Sequence, residues 1–146
     1  VEDDCGIPVC GEKKAVGIPG SLILIVEDDG IIAFRILELL EGAGYHVPDP
    51  VASGEDAIAL AAISPPDLIL MDIGLTGKID GLEAARQIRN YRDIPVIFLT
   101  SYADDNRLAL AKDISPYGYL VKPFRDEKLL ESIEGALIRN EMLNAE

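Results

Sequence analysis

Leu68-Ile-Leu-Met71 followed by Asp72 is the stretch that decides the fold, because the same arrangement recurs three more times along the chain. Leu22-Ile-Leu-Ile-Val26 runs into Glu27-Asp28-Asp29, Val96-Ile-Phe-Leu99 into Thr100-Ser101, and Tyr119-Leu-Val121 into Lys122-Pro123. Short, continuous aliphatic runs without polar alternation mark parallel strands buried on both faces. In an open parallel sheet the carboxyl ends of the strands line one edge, so the four polar endings are expected to converge on one crevice.

Helical periodicity fills the intervals. Ile32, Ile36, Leu39, Leu40 and Ala43 fall at helical spacing, and Gly42 and Gly44 supply a stop. Val47-Pro-Asp-Pro-Val51 is a short strand candidate whose two prolines cannot donate ladder hydrogen bonds, so it belongs at an edge. A second helix begins near Ser53 with Ala57, Ile58, Ala61 and Ala62 and ends before Pro65-Pro66. The strand ending at Asp72 leads through a glycine-punctuated loop, Gly74 to Gly81, into a helix carrying Leu82, Ala85 and Ile88. Pro95 opens the fourth strand, residues 104–114 form a polar helix and Gly118 opens the fifth strand. The last helix, 126–143, places Leu129, Leu130, Ile133 and Leu137 on one face. Five strands alternating with five helices predict an α/β fold with right-handed crossovers.

Composition narrows the classes. The length of 146 residues, nearly half of them apolar, suits one domain with a real core. Thirteen basic against twenty-six acidic residues give a net charge of −13, which repels a phosphate backbone and argues against direct nucleic-acid binding. No apolar run approaches a bilayer span and no signal-peptide pattern is present, so a soluble cytoplasmic protein without membrane contact is expected. Residues 1–20, rich in glycine, proline and charge, are read as a flexible extension or linker. Cys5 and Cys10 lie there, and with the distant His46 they are too few for a closed zinc site. Free thiols on a tail and a solvated His46 are expected.

At the strand ends, single residues have ordinary explanations. Acids between a strand and a helix cap the helix, the role assigned to Asp29, and Thr100-Ser101 could cap another. The combination is different, because carboxylates from two strand ends in one crevice repel by up to ~4 kcal/mol per pair at about 4 Å. Raised pKa values or a bound cation must offset that. A hard divalent ion with oxygen ligands, magnesium above all, suits carboxylates with no histidine or thiol nearby. Lys122 and Thr100 add an ammonium and a hydroxyl, completing a pocket for a tetrahedral anion. Asp72, in the middle, is placed to act as a nucleophile and form an aspartyl phosphate.

From about Ser21 to Met142 the chain resembles the receiver domain of response regulators, the phospho-accepting module of two-component signalling. The likeness rests on Glu27-Asp28, Asp72, Thr100 and Lys122-Pro123, in that order at strand ends. It implies a flavodoxin-like (CheY-like) doubly wound five-stranded parallel sheet of order 2-1-3-4-5 with helices on both faces, which agrees with prolines on an edge strand. It implies a receiver domain over 21–143, a signalling domain whose only catalysis is its own phosphorylation and dephosphorylation; with only a few residues after the last helix, no effector domain is expected. By the resemblance Asp72 is the phosphoacceptor, and Glu27, Asp28, Asp72 and the Gly74 backbone carbonyl hold Mg2+, with Asp28 a direct ligand. Thr100 and Lys122 bind the phosphoryl group, the Lys122-Pro123 peptide is cis, and Thr100 and Tyr119 form the switch. The implied partner is a sensor histidine kinase or phosphotransfer protein. The face of helix 4, strand 5 and helix 5 is the altered surface and a candidate homodimer contact.

Two departures stand out. Thr76 occupies a place where receivers often have proline, and the loop from Asp72 to Gly81 is about one residue longer than usual. Gly74 and Tyr102 lie at places that influence dephosphorylation in similar proteins. Alternatives are a degenerate receiver serving as a binding scaffold, and a receiver module of a hybrid histidine kinase, to whose ATP site Asp4-Cys-Gly-Ile-Pro8 bears a slight likeness. An aspartate-based phosphohydrolase usually needs a second acid where Gly74 stands, and a flavin carrier would not face its cofactor phosphate with carboxylates.

Overall fold

The buried runs form the strands expected of them. The computed structural model describes residues 20–101, 108–114 and 117–144; Cys5, Cys10 and Tyr102 lie outside them, as does the expected helical start at 104. The strands are β1 (Ile23–Val26), β2 (Leu68–Asp72), β3 (Val96–Thr100) and β4 (Tyr119–Val121). They are parallel and lie in the order β1-β2-β3-β4. The helices are α1 (Gly30–Gly42), α2 (Gly54–Ile63), α3 (Gly81–Arg89), α4 (Leu108–Ile114) and α5 (Asp126–Asn144).

The expected strand at 47–51 is not a continuous strand; only isolated parallel bridges, Leu22 to His46 and Val26 to Val51, flank β1 on that side. Pro48 and Pro50 have no N–H to extend a ladder. Pairing is confined to bonds such as Ile23 N to His46 O at 2.9 Å, Val51 N to Ile25 O at 3.0 Å and Glu27 N to Val51 O at 3.0 Å. Four strands, not five, are therefore formed among the described residues. His46 keeps its side chain in solvent, as expected.

Alternation along each strand divides the interior into two cores. Leu24, Val26, Ile69, Met71, Val96 and Phe98 pack with residues of α2, α3 and α4. Ile23, Ile25, Leu68, Leu70, Ile97, Leu99 and Leu120 pack with Ala33, Ile36 and Leu40 of α1 and with Leu129, Ile133, Ala136 and Leu137 of α5. Helices on both faces of a parallel sheet make the doubly wound α/β architecture. Side chains begin the helices: Asp29 Oδ1 accepts from the amides of Ile31 and Ile32 at 3.0 and 3.2 Å. Ser53 Oγ accepts from Asp56 at 3.1 Å, and Asp80 Oδ1 from Glu83 at 2.9 Å. Among the described residues no helix is long and apolar enough to cross a membrane.

One close approach sets the rim of the crevice. The first residue of α3, Gly81, lies so near the end of β2 that a Cβ there would stand 2.1 Å from the Asp72 carbonyl oxygen and 3.0 Å from Ile73 Cα. Both neighbours are backbone and cannot turn aside. Gly135, in α5, has open space around the corresponding position. Gly81→Ala is therefore expected to destabilise the protein by about 2 kcal/mol or more through overpacking. Gly135→Ala should stabilise it by up to ~1 kcal/mol through helix propensity. Urea unfolding of both variants checks the contrast in sign.

Candidate functional site

Parallel register brings the polar endings together. Val26 pairs with Met71, Asp72 with Leu99 and Thr100 with Val121. The next residues outward, Glu27 after β1 and Lys122 after β4, therefore meet Asp72 and Thr100 at one edge. Sheet hydrogen bonding continues into the site, with Lys122 N donating to Thr100 O at 2.7 Å and Ile73 N to Leu99 O at 2.9 Å.

Glu27, Asp72 and Thr100 are buried, with 3%, 6% and 0% of their surfaces exposed, whereas Asp28 is exposed. One carboxylate oxygen from each of Glu27, Asp28 and Asp72 lies within 4.8 Å of the others. Lys122 does not stand off across a pocket. Its Nζ lies 2.8 Å from Glu27 Oε1 and 3.4 Å from Asp72 Oδ1. A buried carboxylate demands a counter-charge, and among the described residues the Lys122 ammonium supplies it. The Lys122-Pro123 peptide is cis, as the resemblance implied.

Backbone amides and one hydroxyl donate to one oxygen of each carboxylate. Asp29 N donates to Glu27 Oε2 at 3.2 Å and Gly74 N to Asp72 Oδ1 at 3.0 Å. Thr76 donates twice to Asp28 Oδ2, from its amide at 3.2 Å and its hydroxyl at 3.1 Å. This second role of Thr76 escaped the sequence reading, which marked the residue only as a substitute for proline. The signal was the restored N–H. Thr100 Oγ1 donates to Ser101 O at 3.2 Å, while Tyr119 is exposed and pairs with Phe98, two residues before Thr100, in the sheet.

Burial pushes the Glu27 carboxyl up to about 7 against the pull of the Lys122 ammonium, with the Asp72 charge adding to the rise. Burial alone would lower Lys122, but the Glu27 and Asp72 carboxylates outweigh it and hold the ammonium above its ordinary range. For Asp28 burial is the largest single influence and raises the carboxyl, but the two Thr76 donors, with the Asp28 amide and Glu27, together outweigh it and hold the carboxyl below its usual range.

The donor set fits a hard divalent cation. It is all oxygen, and apart from the lysine contact Glu27 Oε1 has no hydrogen-bond partner among the described residues despite being buried. Such an atom is a natural place for a cation or its bound water. Glu27, Asp28 and Asp72 thus form a candidate Mg2+ site, with Lys122 and Thr100 at its border.

Comparison with known proteins agrees with this geometry. The profile of the response regulator receiver domain matches residues 23–134. The chain is 34% identical over 117 residues to the transcriptional regulatory protein PdtaR of Mycobacterium tuberculosis, an alignment covering 80% of this chain and 57% of that protein. With the transcriptional regulatory protein AfsQ1 of Streptomyces coelicolor it shares 36% identity over 119 residues, 82% of this chain and 52% of that one. Among solved structures, the signal receiver domain of a modulated diguanylate cyclase from Desulfovibrio desulfuricans matches with a TM-score of 0.79 at 36% identity, covering 84% of this chain and 98% of that one. A CheY-like response regulator receiver domain protein from Methanospirillum hungatei matches with a TM-score of 0.79 at 28% identity, with the same coverages of 84% and 98%. The chain spans about half the length of the curated relatives it matches.

The raised Glu27 carboxyl has a definite sign in stability. The folded, metal-free protein takes up this proton near pH 7, and the unfolded chain near 4.5. Between those values the folded state binds more protons, so this group's contribution to stability falls as pH rises through the window. Glu27→Gln should flatten the fall when urea unfolding of both proteins is compared in EDTA from pH 4.5 to 7. Parallel profiles would contradict the raised carboxyl.

Proposed function

The chain belongs to the response regulator receiver family, and from that membership we propose that Asp72 is the aspartate that accepts the phosphoryl group. A receiver domain is a phospho-accepting signalling module, and its chemistry is confined to its own phosphorylation and dephosphorylation. The observation that carries the assignment is the position of Asp72, 3.4 Å from Lys122 Nζ and clustered with Glu27 and Asp28.

In the proposed reaction a carboxylate oxygen of Asp72 attacks the phosphorus of a phosphohistidine on a partner kinase or phosphotransfer protein. The P–N bond breaks, and the imidazole leaves with the bonding pair and recovers a proton from solvent. Magnesium bound by Glu27, Asp28, Asp72 and the Gly74 carbonyl would supply positive charge to the phosphoryl oxygens. Lys122 gives up part of its contact with Glu27 to pair with the new phosphate, and the Thr100 hydroxyl donates to a phosphate oxygen. Hydrolysis, in which water attacks phosphorus and inorganic phosphate departs, restores the Asp72 carboxylate.

Phosphorylation adds about −1.5 to −2 charge. Thr100 and Tyr119 are proposed as the switch that carries this change to the face of α4, β4 and α5, where a protein partner or a second copy would bind. The full receiver order, with segment 47–51 as an edge strand beside β1, belongs to this reading and is supported by the bridges at His46 and Val51. So do a receiver unit over 21–143 preceded by a flexible extension, and a cytoplasmic location, where ATP-dependent kinases form phosphohistidine.

Incubation of wild type and Asp72→Asn with acetyl phosphate, with and without Mg2+, followed by intact mass measurement, tests the assignment. A gain of one phosphoryl group in wild type alone, dependent on Mg2+, is expected. An equal gain in Asp72→Asn would reject Asp72 as the acceptor.

A further inference from the structure

We propose that Thr76 is a positioning residue for the cation, fixing the Asp28 carboxylate by two donors on one oxygen. The inference rests on the metal-site reading above and deepens it. Asp28 is exposed, and an exposed aspartate free to sample rotamers loses that freedom when it ligates an ion. Thr76 removes the freedom in advance. Its amide and hydroxyl reach Asp28 Oδ2 at 3.2 and 3.1 Å across 48 residues of chain, which commits one oxygen to the loop and leaves the other to turn toward the ion.

The loop is built to hold this donor pair in place. Ile73 and Leu75, on the chain before Thr76, are buried in the core shared with α2 and α3, with 0% and 6% of their surfaces exposed. Gly77, just after, has φ of +128°, a left-handed conformation that turns the chain away and that side-chain-bearing residues rarely adopt. Asp80 then caps α3. A proline at position 76 has neither an N–H nor a hydroxyl and could make neither bond. Threonine at this place thus gives the chain a tether between the two acidic strand ends, of the kind that orients metal ligands and commonly changes affinity 10–100-fold, as an order of magnitude, when removed.

Mg2+ titration by calorimetry, on wild type, Thr76→Ser, Thr76→Val, Thr76→Pro and Asp28→Asn, tests the inference. Thr76→Ser retains both donors and should bind like wild type. Thr76→Val keeps the amide and loses the hydroxyl, and should bind about 10-fold more weakly. Thr76→Pro should bind more weakly still. The Mg2+ concentration giving half-maximal phosphorylation by acetyl phosphate should move by the same factors, while urea midpoints in EDTA stay together for Ser and Val because residue 76 is exposed. Equal Mg2+ affinity in wild type and Thr76→Val, with binding still lost in Asp28→Asn, would overturn the role of Thr76 and leave the metal site standing. No Mg2+ binding by wild type would overturn both.

Discussion

The interaction on which the site depends is the contact of Lys122 Nζ with two buried carboxylates, Glu27 at 2.8 Å and Asp72 at 3.4 Å. Parallel register forces acids from β1 and β2 to one edge, and each is too deeply buried to be neutralised by bulk water. One ammonium offsets that crowding only in part, since Asp28 adds a third carboxylate to the cluster. The residual negative charge makes the site receptive to a divalent cation. In the proposed reaction this same ammonium would exchange part of its carboxylate contact for the phosphate, so the structural demand on Lys122 and the proposed functional one fall on one group.

The architecture separates rigidity from responsiveness. Two apolar cores hold the strands from both faces, so the distances at the carboxyl edge are set by packing. Around the edge, contacts are made by loops whose anchors are specific. Gly81 lets α3 approach the Asp72 backbone, Leu75 pins the loop after β2, and Thr76 reaches back to Asp28. Charge added at Asp72 in the proposed reaction would fall on this rim of loop contacts rather than on the apolar cores.

Most of this is legible in the sequence, for a physical reason. Strands buried on both faces must be continuously apolar, and the first residues outside the core must be polar, so Glu27, Asp28, Asp72, Thr100 and Lys122 announce themselves by position. The cap at Asp29 is readable because capping is local. What escapes depends on contacts between distant segments or on backbone detail. The segment 47–51 has a strand's apolar ends, but its prolines leave only two bridges. Tyr45, buried in the turn after α1, has no periodic neighbours to mark it as core. The bonds of Thr76 to Asp28 join loops 48 residues apart and leave no pattern in either. The direct pairing of Lys122 with Glu27 likewise follows from burial depth, which composition does not reveal.

The central claim is that Asp72 carries the phosphoryl group in a cation-dependent reaction. Its most direct test is to treat the protein with acetyl phosphate in Mg2+ or in EDTA, reduce the acyl phosphate with borohydride, and sequence the peptides by mass spectrometry. The account predicts conversion of residue 72, and no other, to homoserine in the Mg2+ sample alone. Homoserine at Asp28 or at another aspartate, or equal conversion in EDTA, would contradict it.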